Sequence, residues 1–204
     1  NPYPCAFWKY CSRHVPAPSV FDIYRMSFTK ALELYKQGIT DVKDVLASAK
    51  LNALQKQQID YILNNQPDHV DKDGIKNFLD GLSYPLYFLD FETMQMVLPE
   101  YPNSKPYQQI TFQYSLHYIE IENGELKHKE FLGVSGEDPR RTLAEQLVAD
   151  IPTDACVLAY NRGFEKGRIK ELAEMFPDLA DSLIKIRDNI QDLIDPFHHG
   201  HFYT

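Results

Sequence analysis

The chain has 204 residues, 44% hydrophobic and 25% charged, which suits a globular protein able to bury a core without disulfide or metal staples. Its formal net charge of −8 makes it a poor non-specific binder of nucleic acid, since such binding needs Lys and Arg to neutralise phosphates, yet leaves room for a nuclease whose divalent metals supply local positive charge. No apolar run approaches the roughly 20 residues of a membrane helix, no basic-then-apolar leader opens the chain, and three cysteines make no secreted disulfide framework, so a cytoplasmic setting without a membrane is expected.

Residues 1–18 are turn-rich, with Pro2, Pro4, Pro16 and Pro18 and with Cys5 and Cys11 spaced C-x5-C. A helix is predicted over 19–37: Ser19 is the N-cap, Phe21, Tyr24, Phe28, Leu32 and Tyr35 recur every three or four positions, and Gly38 ends it. Further helices are expected near Asp41 (Val42, Val45, Leu46), over about 52–64 (Leu54, Ile59, Tyr61, Leu63) and near 72–81, closing at Gly81. The character changes at Tyr84-Pro85. Residues 86–92 are mostly apolar, as a buried strand would be. Residues 107–119 alternate: Ile110, Phe112, Tyr114, Leu116 and Tyr118 face one way, Thr111, Gln113, Ser115 and His117 the other. The turn signal Glu122-Asn123-Gly124-Glu125 joins that strand to another over 126–133, an antiparallel hairpin. A helix at about 138–150, a short strand at Cys156–Tyr160, a helix at about 164–175, a further helix from Leu179 to Ile186 and a strand or extended link at 189–195 complete the pattern. The order from residue 86 is β-β-β-α-β-α-(α)-β. The chain does not begin with Met and stops on Phe-Tyr-Thr without a closing element, so a piece of a longer protein is expected.

Two segments carry chemistry. In Leu89-Asp90-Phe91-Glu92-Thr93 the acids are two apart on a strand and so share a face, opposite Leu89 and Phe91. Two carboxylates side by side in an apolar strand repel and lose hydration, and a divalent cation relieves both costs; oxygen donors suit magnesium or manganese. The structural alternative is a strand end where both acids reach solvent. In Leu158-Ala159-Tyr160-Asn161-Arg162-Gly163-Phe164-Glu165 a strand ends, a glycine turn follows and a helix opens with an acid in its first turn. The helix dipole alone accounts for an acid there; the functional alternative is a third metal-binding carboxylate, aimed at the same sheet edge. Arg162, Lys166, Arg168 and Lys170 cluster around it, either as phosphate contacts or as a solvated helix face.

Phe88-Leu89-Asp90-Phe91-Glu92-Thr93 resembles the first motif of the DEDD exonuclease superfamily, and Asn161-Arg162-Gly163-Phe164-Glu165 resembles its second, with Glu165 where Asp is usual. The runs Tyr-Pro-Leu-Tyr-Phe-Leu-Asp-Phe-Glu-Thr and Pro-Tyr-Gln-Gln-Ile-Thr-Phe-Gln-Tyr-Ser make 84–197 similar to a bacterial uncharacterised-domain family in which a RecB-like nuclease domain lies upstream. The resemblance implies a ribonuclease-H-like α/β domain over 84–204, C-terminally truncated: a mixed sheet of three antiparallel strands then parallel strands, flanked by helices. Before it, 1–83 is expected to be a small helical linker, the tail of the upstream domain. Asp90, Glu92 and Glu165 become the expected catalytic metal ligands for Mg2+ or Mn2+, and Thr93, Asn161, Arg162 and Lys166 the expected nucleic-acid contacts. Asp192 falls where the family has a strand Asp before its final helix, as an accessory, and no segment supplies the family's fourth acid. Cys5 and Cys11 match the end of a C-x2-C-x5-C iron–sulfur staple, but the place two residues upstream in that spacing is Pro2, so no cluster is expected. Cys156 is expected in the core, and His198, His199 and His201 in a loop. Tyr101, Tyr107, Phe112 and Tyr114 are either base-stacking groups or packing. The expected function is hydrolysis of phosphodiester bonds from the 3′ end of single-stranded DNA or RNA. The alternative is a non-catalytic nucleic-acid-binding or scaffolding module.

Overall fold

The computed structural model describes residues 5–203, so Pro2, Pro4 and Thr204 lie outside the described residues. Two compact units divide the chain. One runs to Val70 and takes in 202–203; the other is Asp71–His201. The division falls ahead of the composition change at Tyr84, and the helix expected near 72–81 belongs to the second unit.

In the first unit a single turn, α1 (Trp8–Cys11), lies inside the stretch read as coil, and it is followed by a 3-10 turn at Val20–Asp22. The helix expected over 19–37 is broken. Ser19 and Asp22 close a capping box around one turn, Arg25 takes φ +50°, and Ser27 caps a new helix, α2 (Phe28–Lys36), by accepting from the Lys30 amide. Two serines spaced eight apart each offer an N-cap, and the second won. Helices α3 (Val42–Ser48), capped by Asp41, and α4 (Ala53–Asn64), opened by the Asn52/Gln55 capping box, form as expected. They surround a core of Val20, Ala31, Leu34, Val42, Val45 and Ile59. Strands β1 (His69–Val70) and β7 (Phe202–Tyr203) pair antiparallel.

The second unit opens with α5 (Lys72–Asp80), then β2 (Leu86–Gln95), β3 (Gln109–Ile119), β4 (Lys127–Leu132), α6 (Arg140–Asp150), β5 (Cys156–Ala159), α7 (Gly163–Met175), α8 (Ala180–Asp188), β6 (Ile190–Asp192) and the turn α9 (Asp195–His198). The five strands lie in the order β4-β3-β2-β5-β6. β2, β3 and β4 pair antiparallel, and β5 joins β2, and β6 joins β5, in parallel. Three antiparallel strands extended by parallel ones, with helices alongside, make a ribonuclease-H-like α/β fold. The β3–β4 hairpin forms because Asn123 accepts φ +58° and because Gly124 lies where a Cβ would stand 2.8 Å from the Ile121 carbonyl oxygen.

One face of the sheet packs Tyr87, Leu89, Phe91, Tyr114, Leu116 and Val157 against Leu143 and Leu147 of α6, Ile169 and Leu172 of α7, and Leu183 and Ile186 of α8. Tyr114 is thus core, not a stacking group, whereas Tyr107 stands exposed just before β3 begins. The strict alternation over 107–119 fails twice: Thr111 is buried, and the β2–β3 register shifts between Glu92 and Thr93, where Glu92 pairs with Gln113 but Thr93 with Thr111. Cys156 is buried as expected. Among the described residues no helix is long and apolar enough to cross a membrane.

On the helix-covered side of the sheet, α6 carries a buried acid. Asp150 accepts from Tyr114 Oη (2.6 Å), Lys129 Nζ (2.9 Å) and Gln146 Nε2 (3.1 Å). Burial pushes its carboxyl up, but these donors outweigh burial and hold it below the usual carboxylate range. A lowered acid stabilises the fold above its unfolded value of 3.8 and loses that contribution as pH falls through the folded value. We expect Tyr114→Phe to cost about 1.5–3 kcal/mol, the worth of a hydrogen bond to a charged group. Asp150→Ala should cost more, because it leaves the buried Tyr114 hydroxyl without a partner, about 1–3 kcal/mol by itself, and also removes the acceptor of Lys129 and Gln146. Urea melts of both variants check the order; equal midpoints for wild type and Asp150→Ala would remove the network from the account.

Candidate metal and phosphate site at the carboxyl ends of the strands

β2 presents its side chains alternately. Leu89 and Phe91 enter the core, and Asp90 and Glu92 stand exposed on the opposite face. The shared face matches the expectation, but the loss of hydration does not: both acids are exposed, as in the structural alternative. Thr93, half-buried, sits just past the register shift, after which β2 and β3 go on pairing in the new register to Gln95.

The second segment is built around Asp192. At the end of β6, level with Ala159, its carboxylate accepts the amides of Asn161 (2.8 Å), Arg162 (2.9 Å) and Ile194 (3.1 Å). Helix α7 has no side-chain cap of its own, so this borrowed carboxylate settles the chain entering it. The left-handed residue of the turn is Asn161, at φ +62°, not the glycine expected there. Gly163 has an ordinary backbone, and a Cβ on it would meet nothing within 4 Å. Asn tolerates the left-handed region better than most residues, which accounts for its place. Asp192 is thus a positioning group. Arg162 leans back over it, its Nε 3.9 Å from Asp192 and its Nη1 3.2 Å from Asp195, an acid the sequence did not single out.

Glu165 follows one turn into α7 and is 4% exposed. Its Oε2 is buried and has no hydrogen-bond partner. The helix dipole accounts for an acid in a first turn but not for a buried one. Burial pushes its carboxyl up, its own backbone amide offsets part of that, and the neighbouring charges of Asp90 and Asp192 add to the rise. Asp90 follows the stretch of β2 that pairs with β5, and Asp192 is level with the last residue of β5, so both stand near the carboxyl end of that strand, from which the chain runs into α7. The basic residues do not gather around Glu165 as one patch. Arg168 bonds Glu171 (2.8 Å) and the Gln109 carbonyl (3.2 Å), and Lys170 stands 3.6 Å from Glu174. Lys166 is half-buried, and burial and Arg162 lower its ammonium. Among the described residues, no group of three or more His, Cys, Asp or Glu side chains stands in an arrangement that can hold a metal ion.

Beside Asp90 the uncovered face forms a groove of about 450 Å³, lined by Phe88, Ser115, His117, Tyr160 and Leu193. Ser115 lies on the side of its strand that the alternation put it on, with His117, whereas His128 and Asp195 were given no role by the sequence. The turn at Asn123-Gly124 held the signal, since it sets which residues of β3 and β4 lie opposite each other. Of the other expected elements, Cys5 and Cys11 are exposed free thiols of the first unit, and His201 bonds Asp71 at 2.9 Å within the second.

Glu165 generates a pH prediction. A buried acid whose folded value is raised stabilises the fold below its unfolded value of 4.5 and loses that contribution as pH rises through the folded value. Glu165→Gln should therefore melt higher than wild type at neutral pH in chelator, with the difference shrinking as pH is lowered toward 4.5. Thermal melts across that range check it; a difference that does not vary with pH would mean that Glu165 is not buried as a charge.

A family model described as "Domain of unknown function (DUF2779)" matches residues 87–204. "Uncharacterized protein UU173" of Ureaplasma parvum serovar 3 (strain ATCC 700970) is 28% identical over 194 residues, covering 91% of this chain and 27% of that relative. The chain therefore spans about a quarter of the length of the relative it matches. No solved structure matches. With its model covering the whole sheet but the first residue of β2, together with the Asp90 and Glu165 segments, the Domain of unknown function (DUF2779) family is the one to which this chain belongs.

Proposed function

We propose that this chain is the metal-binding part of a nuclease that hydrolyses phosphodiester bonds of single-stranded DNA or RNA from a 3′ end. The observation that supports the reading is Glu165: a buried carboxylate oxygen without a partner, beside a second acid, at the strand edge where α/β folds take ligands. An uncompensated buried charge costs several kcal/mol and is retained where something offsets it. Mg2+ or Mn2+ fits on that test, since the donors on offer are all carboxylate oxygens. Asp90, Glu92 and Glu165 would hold the ion, which when bound supplies an activated water and stabilises the leaving oxygen. Asp192 keeps the turn in place so that Glu165 enters the edge at a fixed position. Arg162 and Lys166 bring positive charge to the same helix turn for phosphate, and Thr93 and Asn161 offer neutral polar contacts to the strand. In the longer protein, a RecB-like nuclease domain upstream is part of the same proposal.

A second reading has its own support: no three-ligand group stands formed among the described residues, and the Asp192 and Arg162 side chains are taken up by internal bonds. On that reading the domain binds nucleic acid or scaffolds, and a RecB-like partner cuts. An end-labelled single-stranded oligonucleotide with Mn2+ separates the two in the longer protein. Asp90→Ala should lower 3′-end hydrolysis roughly a hundredfold or more, as the loss of several kcal/mol of charge stabilisation implies. Undiminished hydrolysis by Asp90→Ala would favour the second reading.

A further inference from the structure

His117 on β3 and His128 on β4 are direct cross-strand partners. Both are exposed, on the face of the sheet that carries Asp90. Their ring centroids are 4.3 Å apart, with the planes 35° from each other. Opposite residues of an antiparallel pair hold their Cβ atoms within about 5.5 Å, so both imidazoles rise from a rigid base. Two ring nitrogens bound to one zinc ion at about 2.0–2.1 Å stand about 3.3 Å apart in a tetrahedral arrangement. Rings whose centroids stand 4.3 Å apart would have to swing apart, by rotation of both side chains, to take the ion between two of their nitrogens. A third group prepares the site. Ser115 Oγ lies 3.2 Å from His128 Nε2. With Nε2–H donating to that hydroxyl, the lone pair of His128 sits on Nδ1, which is how ligating histidines are commonly oriented from their far side.

We propose that His117 and His128 form a transition-metal site that takes zinc, with Ser115 fixing the His128 tautomer and water in the remaining positions. Imidazole donors favour zinc over magnesium, so this site is chemically distinct from the carboxylates of Asp90, Glu92 and Glu165, and it does not depend on the nuclease reading. His117 and Ser115 also line the groove beside Asp90 and Phe88, so an anionic oxygen entering that groove comes up against one side of the site.

Calorimetry with zinc chloride on the metal-free chain, in excess magnesium, tests the site. A single zinc ion is expected to bind, and His117→Ala or His128→Ala should each weaken it roughly tenfold or more, the scale on which even supporting groups act. Ser115→Ala should weaken it less, and Asp90→Asn not at all. Ring nitrogen resonances of His117 and His128 in the unmutated protein should shift together as zinc is added, which reads the site without any variant. The proposal is overturned if those resonances stay fixed, if both histidine variants bind zinc normally, or if binding follows Asp90→Asn or replacement of His198, His199 and His201 instead.

Discussion

The carboxylate of Asp192 is the fixed point of the second unit. It sits at the end of the last parallel strand and takes amides from a turn 30 residues upstream in the chain. Without it, α7 would start with no side-chain cap, after a left-handed asparagine and an arginine. With it, the turn between β5 and α7 is tied to β6, and the direction in which α7 leaves the sheet is set. Glu165 is buried as a consequence: one turn into a helix so placed, its side chain enters the strand edge rather than solvent.

The sheet treats its two faces unequally, and this asymmetry sorts the chemistry. Three helices cover one face, where Asp150 is the buried acid and three donors satisfy it. On the other face, within the second unit, Leu86, Cys156 and Leu158 at one end meet Phe78 and Leu82. Beyond that cluster the polar groups of β2, β3 and β4 remain in water: Asp90, Glu92, Ser115, His117 and His128. A charge on the covered face is solvated by the fold. One on the open face is solvated by water and stays free to exchange it for a ligand.

How much of this was legible follows from which interactions are local. The strands β2 to β5 and the helices α3 to α8 carry their signals within themselves, in periodicity, caps and the Asn123-Gly124 turn, and the α/β order could be read from them. The break after Asp22 was hidden because helical periodicity continues through 23–27 while the competing cap at Ser27 is a single residue. The face shared by Asp90 and Glu92 was legible from alternation; their exposure was not, because it depends on where no helix packs. The burial of Glu165 and the work of Asp192 were beyond reach for the same reason. Both arise from the parallel register of β5 with β6, which no local pattern encodes.

The acids of the candidate site differ in kind, and the difference bears on how a cation would act there. Asp90 and Glu92 are hydrated and cost the fold little. Glu165 is buried with one oxygen unpartnered, and its charged form opposes folding until something meets that oxygen. A ligand that binds only the folded state stabilises it, and the gain is largest where the empty site is most strained. Binding at this edge would therefore be coupled to the stability of α7 through a single side chain, while the exposed pair contributes attraction without that coupling. Replacing Glu165 by a neutral group and replacing Asp90 by one are thus not equivalent changes: the first relieves the empty fold, and the second leaves its stability nearly where it was.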